Sequence, residues 1–224
     1  ANNVKYRYMA FADKREYAYW LDQSGNNNDW TSNNLTESDV SVDSPTNNFA
    51  TLNPLDTGTN SMNFSEGNMK CWGNGTTWCT TTGTQGISSG KWYWETCNTN
   101  ANTVFTGLAE LGSIGSLMTL SNGYVGRTAD SYGYYSVNGT KNNNDVSASY
   151  GASWQTAGDI IGTAFDADAG TLTFYKNGVT QGQAYSGIAS NSIPVFSTEG
   201  VNHQQTVNFG QDSSFAGNKT AQGN

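Results

Sequence analysis

The run TLTFYK over residues 171–176, closed by Asn177 and Gly178, restricts what this chain can become more than any other feature. A two-residue turn of the kind that joins twisted antiparallel strands needs positive φ at both central positions, and Asn-Gly supplies it at little cost. The run before it has the composition of a strand, so a β-hairpin is expected here. The same dipeptide recurs at Asn74-Gly75, Asn122-Gly123 and Asn138-Gly139. Between these punctuation marks lie short strand-like runs. Residues 91–96 alternate, putting Trp92 and Trp94 on one face and Tyr93 and Glu95 on the other. Residues 104–109, 123–127 and 132–137 are further strands. Residues 159–165 are apolar on both faces, as a central strand is, and 193–198 and 205–210 close the series. Strands separated by turn signals every 8–12 residues describe an all-β, two-sheet antiparallel sandwich. Its expected core contains Ile161, Phe165, Leu172, Phe174, Val195 and Phe209.

Composition agrees where it bears on the choice. Only 12% of residues are charged, whereas 26 are Gly, 12 Tyr and 7 Trp. The long charged side chains of helix surfaces are scarce, and aromatic residues and Thr favour strands. The formal charge is −8 with ten scattered Lys and Arg, which argues against nucleic acid as a partner, because counterion displacement needs clustered cations. No apolar run approaches the roughly 18 residues of a membrane span. Along the chain, residues 1–12 hold one alternating strand (4–11) assigned to a preceding or neighbouring domain. Residues 13–48 form an Asn- and Ser-rich structured linker, 49–215 the sandwich, and 216–224 a polar linker to a further part of a longer polypeptide.

The strings then converge on a known family. GKWYWE at 90–95 resembles the strand that opens a SPRY core. GDIIG at 158–162, Asp166, GTLTF at 170–174 and KNG at 176–178 are similar to its central signature, in the family's order. PVF at 194–196 and VNFGQ at 207–211 resemble its closing strands, and YGY at 132–134 with Asn138-Gly139 its intervening hairpin. The resemblance covers residues 90–211 and implies a SPRY, concanavalin-like sandwich of jelly-roll type. Upstream, LDQSGN at 21–26 with NDWT at 28–31, and DSPTNNFATLNPL at 43–55, resemble segments of tailed-phage structural proteins, especially marine ones, as AGNKTAQGN at 216–224 resembles their downstream linker. This second resemblance implies a fibre, tail or head-surface component on the outside of a virion. Its implied partners are other virion subunits and a host surface glycan or protein, and the module is expected to act as a homo-oligomer.

Catalytic and metal chemistry find little footing. The lone histidine, His203, would have to serve as a triad base, and no Gly-x-Ser-x-Gly elbow is present. Glu95 and Glu110 are the two carboxylates that could meet across strands as a glycosidase pair, but Glu95 stands at a SPRY position that implies a structural hydrogen-bond acceptor. Asp166-x-Asp168-x-Gly170 opens like a calcium loop, yet position 177, the twelfth, is Asn where an acidic ligand belongs; a capped hairpin turn is the expectation. Asp22, Asn26 and Asp29 are assigned to Asx turns rather than a cation. Cys71, Cys79 and Cys97 are expected as buried thiols, with a Cys71–Cys79 bridge the alternative. No enzyme activity, cofactor or metal is expected. The loops are rich in Tyr, Ser, Gly and Asn, the set that antibody loops use for contact. The candidate binding residues are Asp130, Tyr132, Tyr135, Asn142, Asn143 and Asn144, with Tyr150 and Trp154 nearby.

Overall fold

The structure, a computed structural model, describes residues 24–28, 31, 33, 48–215 and 219. The strand expected at 4–11 and most of the linker at 13–48 lie outside the described residues, as does the tail at 216–224 apart from Lys219. Fourteen strands, numbered in chain order, form two seven-stranded sheets. The first sheet runs β1 (Leu52–Thr57), β4 (Trp78–Gly83), β13 (Ser192–Glu199), β6 (Val104–Glu110), β7 (Ser131–Tyr135), β8 (Thr140–Asn143), β9 (Val146–Ser149). The second runs β12 (Val179–Ser186), β11 (Thr171–Lys176), β10 (Asp159–Asp166), β5 (Lys91–Asn98), β14 (Gln204–Asn208), β3 (Lys70–Gly73), β2 (Met62–Ser65). Every strand pair is antiparallel. The all-β sandwich expected from the turn punctuation is the fold.

The β11–β12 hairpin follows its sequence signal closely. Lys176 pairs with Val179, and the two residues between them, Asn177 and Gly178, take φ of 50° and 79°. The β10–β11 hairpin is held differently. The Asp166 carboxylate accepts the amides of Asp168 (3.2 Å) and Ala169 (3.0 Å), and Gly170 leaves the turn at φ 63°. A Cβ on Gly170 would stand 2.6 Å from the Ile188 carbonyl oxygen, so no larger residue fits. This is the capped turn expected from the sequence, with the carboxylates spent on backbone amides; Asp168 also accepts the Gly90 amide at 2.9 Å.

Between the sheets lies the main core, which includes Trp94, Leu108, Tyr134, Ile161, Phe165, Leu172, Phe174 and Phe196. Val195 belongs to a second cluster with Trp78, Phe105, Leu117, Val125 and Ile193. That cluster contradicts two expectations. Residues 123–127 are not a strand: they belong to the long connection from β6 to β7, which carries the short helix α1 (Ile114–Met118) and packs against the cluster. Thr80 Oγ1 donates to the Gly123 carbonyl and the Val125 amide donates to Ser197 Oγ, so side chains of β4 and β13 satisfy its backbone in place of a strand partner. Nor does Asn74-Gly75 close a hairpin, because β3 and β4 belong to different sheets and the chain crosses between them there. Phe209, expected in the core, is only half-buried and sets its edge against Phe196 at 6.0 Å. The three cysteines are free and buried; burial pushes the Cys97 thiol up to about 11.

Candidate binding surfaces

The eight loop residues singled out in the sequence do not form one exposed patch. Trp154 is 0% exposed and packs on Tyr134 at 5.9 Å, so its ring belongs to the core. Asn142 is buried, donating to Ser147 Oγ at 2.8 Å. Asn143 is half-buried and ties down the preceding turn through the carbonyls of Ala129 (2.6 Å) and Ser131 (2.9 Å). Tyr135 stacks on Phe105 at 4.4 Å in the second cluster. Tyr132 packs against the main core, donates to Glu110 at 3.0 Å and meets Tyr185 edge-on at 5.2 Å; burial, then the Glu110 carboxylate, pushes its phenol up to about 12. Asp130 is half-buried with its carbonyl accepting the Glu110 amide at 2.9 Å, and Asn144 is exposed at the β8–β9 turn, at φ 53°.

Tyr150 has a specific structural task. The β11–β12 register shifts between Thr173 and Tyr175. The Phe174 amide donates to Tyr150 Oη at 3.2 Å, and the same hydroxyl donates to the Gly182 carbonyl. Beside it the Tyr185 hydroxyl bridges to the carbonyls of Gly133 and Asn142, both at 2.9 Å, and Lys141 Nζ donates to the Ala184 carbonyl at 2.6 Å. Polar side chains thus fasten β12 of the second sheet to the β7–β9 end of the first. Sequence reasoning read the tyrosines here as contact residues because a phenol suits both tasks; which task it performs depends on what the fold places beside it.

The exposed aromatic surface lies on β5 instead. Trp92 is 39% and Tyr93 53% exposed. They line a cleft of about 310 Å³ with Phe49, Ile87, Trp94, Pro194 and Phe209, at whose rim stand Asn48 and Gln85. The two exposed rings are held in place: Trp92 Nε1 donates to the Ser89 carbonyl at 2.7 Å, and Tyr93 Oη to Glu95 at 2.9 Å. Tyr175 meets Tyr93 edge-on at 6.5 Å. A β5 flanked by β10 and β14 cannot shift without breaking two ladders. The alternation of 91–96 made Trp92 a core residue; what exposes it is its place at the start of the strand, which periodicity does not encode.

Catalytic groupings are not assembled among the described residues. Glu95 and Glu110 belong to different sheets. Glu95 accepts from Tyr93 and, at 3.4 Å, from Asn208, while Glu110 accepts from Tyr132 and the Ala189 amide. No group of three or more His, Cys, Asp or Glu side chains is placed to hold a metal ion among the described residues.

A two-sheet antiparallel sandwich with ordered aromatic side chains at one cleft defines a β-sandwich of the recognition-module class. Residues 91–212, more than half of the chain, match the SPRY domain family, and the chain belongs to that family of protein-interaction modules. It is 35% identical over 104 residues to the E3 ubiquitin-protein ligase RKP of Arabidopsis thaliana, a stretch that is 46% of this chain and 8% of that protein. The chain thus spans under a tenth of that relative's length. Among solved structures it is similar to the SPRY domain of human HERC1, with a TM-score of 0.59 at 17% identity over 71% of this chain and 98% of that one. A second likeness is to stonustoxin, with a TM-score of 0.54 at 20% identity over 71% of this chain and 26% of that one. At these identities the structural likenesses speak to the fold.

Proposed function

We propose that this chain is a non-catalytic binding module that engages its ligand at the Trp92–Tyr93 cleft. The observation that carries the reading is the pair of exposed, hydrogen-bonded aromatic rings on a strand braced on both sides. Fixed rings lose little entropy on binding, which is where much of the cost of association lies. The amide side chains of Asn48 and Gln85 at the rim suit the polar edges of a glycan or peptide. The hairpin tip at Asn144, with Asp130 close in sequence to β7, offers a smaller second contact. A single cleft of this size supports affinity of about micromolar to millimolar. Display in several copies raises it by about 10²–10⁴ without new contacts.

The setting in which such display occurs is a tailed-phage virion, where the module contacts a host surface or neighbouring subunits. What supports this placement is the resemblance of residues 21–31, 43–55 and 216–224 to flanking segments of phage structural proteins. A second reading, a peptide-recognising adaptor, is favoured by one observation, the 35% identity to a ubiquitin ligase.

The domain and a trimerised version are assayed on host cells, a polysaccharide panel and a peptide array. The expected result is weak binding by the monomer, strong binding by the trimer, and loss of both in Trp92→Ala with the melting temperature retained. Peptide binding without glycan or cell binding selects the adaptor. Reducing sugar released by the wild type and not by Glu95→Gln or Glu110→Gln overturns the non-catalytic reading.

A further inference from the structure

The two strands at one lateral edge of the sandwich are finished in opposite ways. On β12 the carbonyls of Gly182 and Ala184 are covered by the Tyr150 hydroxyl and the Lys141 ammonium. On β9 nothing comparable is found. All four of its residues are exposed, Val146 at 64%. The register from the two-residue turn pairs Val146 with Asn143 and Ala148 with Lys141. Alternation in an antiparallel ladder then aims the N–H and C=O groups of Val146 and Ala148 at β8, and those of Ser147 and Ser149 away from the sheet. These outward groups have no backbone partner among the described residues. The strand has none of the usual protections of an edge: it contains no Lys, no Pro, no charge and no bulge.

We infer that β9 is a self-association edge, pairing antiparallel with β9 of a second copy of this chain to continue the first sheet across a two-fold axis. Charge selects the occupant. A chain of net charge −8 repels its own copies over most of its surface, whereas β9 is a neutral window. The nearest acid, Asp145, is already engaged by Arg127 at 3.5 Å and the Tyr124 hydroxyl at 2.7 Å. Pairing Ser147 with Ser149 of the second copy satisfies the outward groups of both residues on each side. It sets Ala148 opposite Ala148 on the axis and Val146 alongside Tyr150 of the second copy. One four-residue strand falls well short of the roughly 1,000 Å² that a stable specific interface clears. The pair is therefore weak alone and effective in arrays. This deepens the multivalent reading above and rests on it for its use, but its test needs no ligand.

The register makes the test sharp. Residues facing each other in a non-hydrogen-bonded antiparallel pair have Cα atoms about 4.5 Å apart, within the range of about 4.4–6.8 Å that a disulfide spans. Ala148→Cys in the full chain is expected to give a disulfide-linked dimer under mild oxidation. Ser147→Cys, whose counterpart in the second copy lies diagonally offset by two residues, is expected to remain monomeric. The native thiols are buried and stay out of the reaction. Ala148→Lys places two ammonium groups face to face, and the association constant from sedimentation is expected to fall at least tenfold with the melting temperature unchanged. Cross-linking by both cysteine variants, by neither, or association untouched by Ala148→Lys overturns the proposal. Trp92→Ala leaves the cross-link intact, so failure of the cleft reading and failure of this one are told apart.

Discussion

Tyr150→Phe separates a clamp from a contact residue at a single oxygen. The substitution keeps the ring, its edge-on contact with Tyr134 at 5.3 Å and that with Phe174 at 6.1 Å, so no cavity opens. It removes the acceptor of the Phe174 amide and the donor to the Gly182 carbonyl. The two losses are unequal. Gly182 is exposed and its carbonyl takes water in exchange. Phe174 is fully buried at the register shift, where no strand residue replaces the lost hydroxyl. An unsatisfied buried amide costs about 1–3 kcal/mol. For a domain of this size each kcal/mol lowers the melting temperature by roughly 2–4 °C, so the fall is about 3–10 °C. Burial raises the Tyr150 phenol and the Phe174 amide pulls it back, consistent with an oxygen that is enclosed and in use. Calorimetry and urea unfolding measure the effect, with the midpoint lowered and the slope unchanged. A melting temperature within about 1 °C of wild type, together with lost ligand binding, refutes the clamp and restores Tyr150 to the contact surface.

Two further outcomes follow from the core and the β10–β11 turn. Phe174→Ala removes a fully buried ring that packs on Tyr134 at 5.0 Å, and a loss of about 3–5 kcal/mol is expected in urea unfolding; a loss below about 1 kcal/mol shows that the site is not packed as described. The Ala169 amide, ahead of Lys91, holds the Asp166 carboxyl below its ordinary value. A carboxyl lowered in the folded state contributes above its unfolded value of about 4, and the contribution fades as pH falls through the folded value. Asp166→Asn is therefore expected to be less stable than wild type at neutral pH, with the two stability curves converging at acid pH; parallel curves rule out the carboxylate's role.

The sandwich was legible because its signals are local. Asn177-Gly178 dictates a turn by its own φ preferences, Asp166 caps amides two and three residues away, and 159–165 and 171–176 carry enough apolar character to fall close to the observed strands. Where the deciding partner is distant, local reading failed. Asn122-Gly123 and the apolar residues after it look like a turn and a strand, but the neighbouring backbone belongs to side chains of β4 and β13, 43 and 72 residues away in sequence. Asn74-Gly75 has hairpin chemistry, yet the chain changes sheets there.

The candidate site divides the same way. That Tyr and Asn residues crowd 130–150 is a property of the sequence; that Tyr150 closes a break in the β11–β12 ladder, Tyr185 bridges two carbonyls and Trp154 is sealed in the core is not. Trp92 and Trp94 share one alternating face, and only the end of the sandwich uncovers the first while burying the second. By itself the sequence determined the all-β class, the hairpin turns and the SPRY core, because φ preferences and the two-residue period act over a few neighbouring residues. Tertiary structure alone decided which aromatic rings face solvent and which strand edge is left unpaired. Those are settled by what packs on the other side, and that neighbour comes from far along the chain.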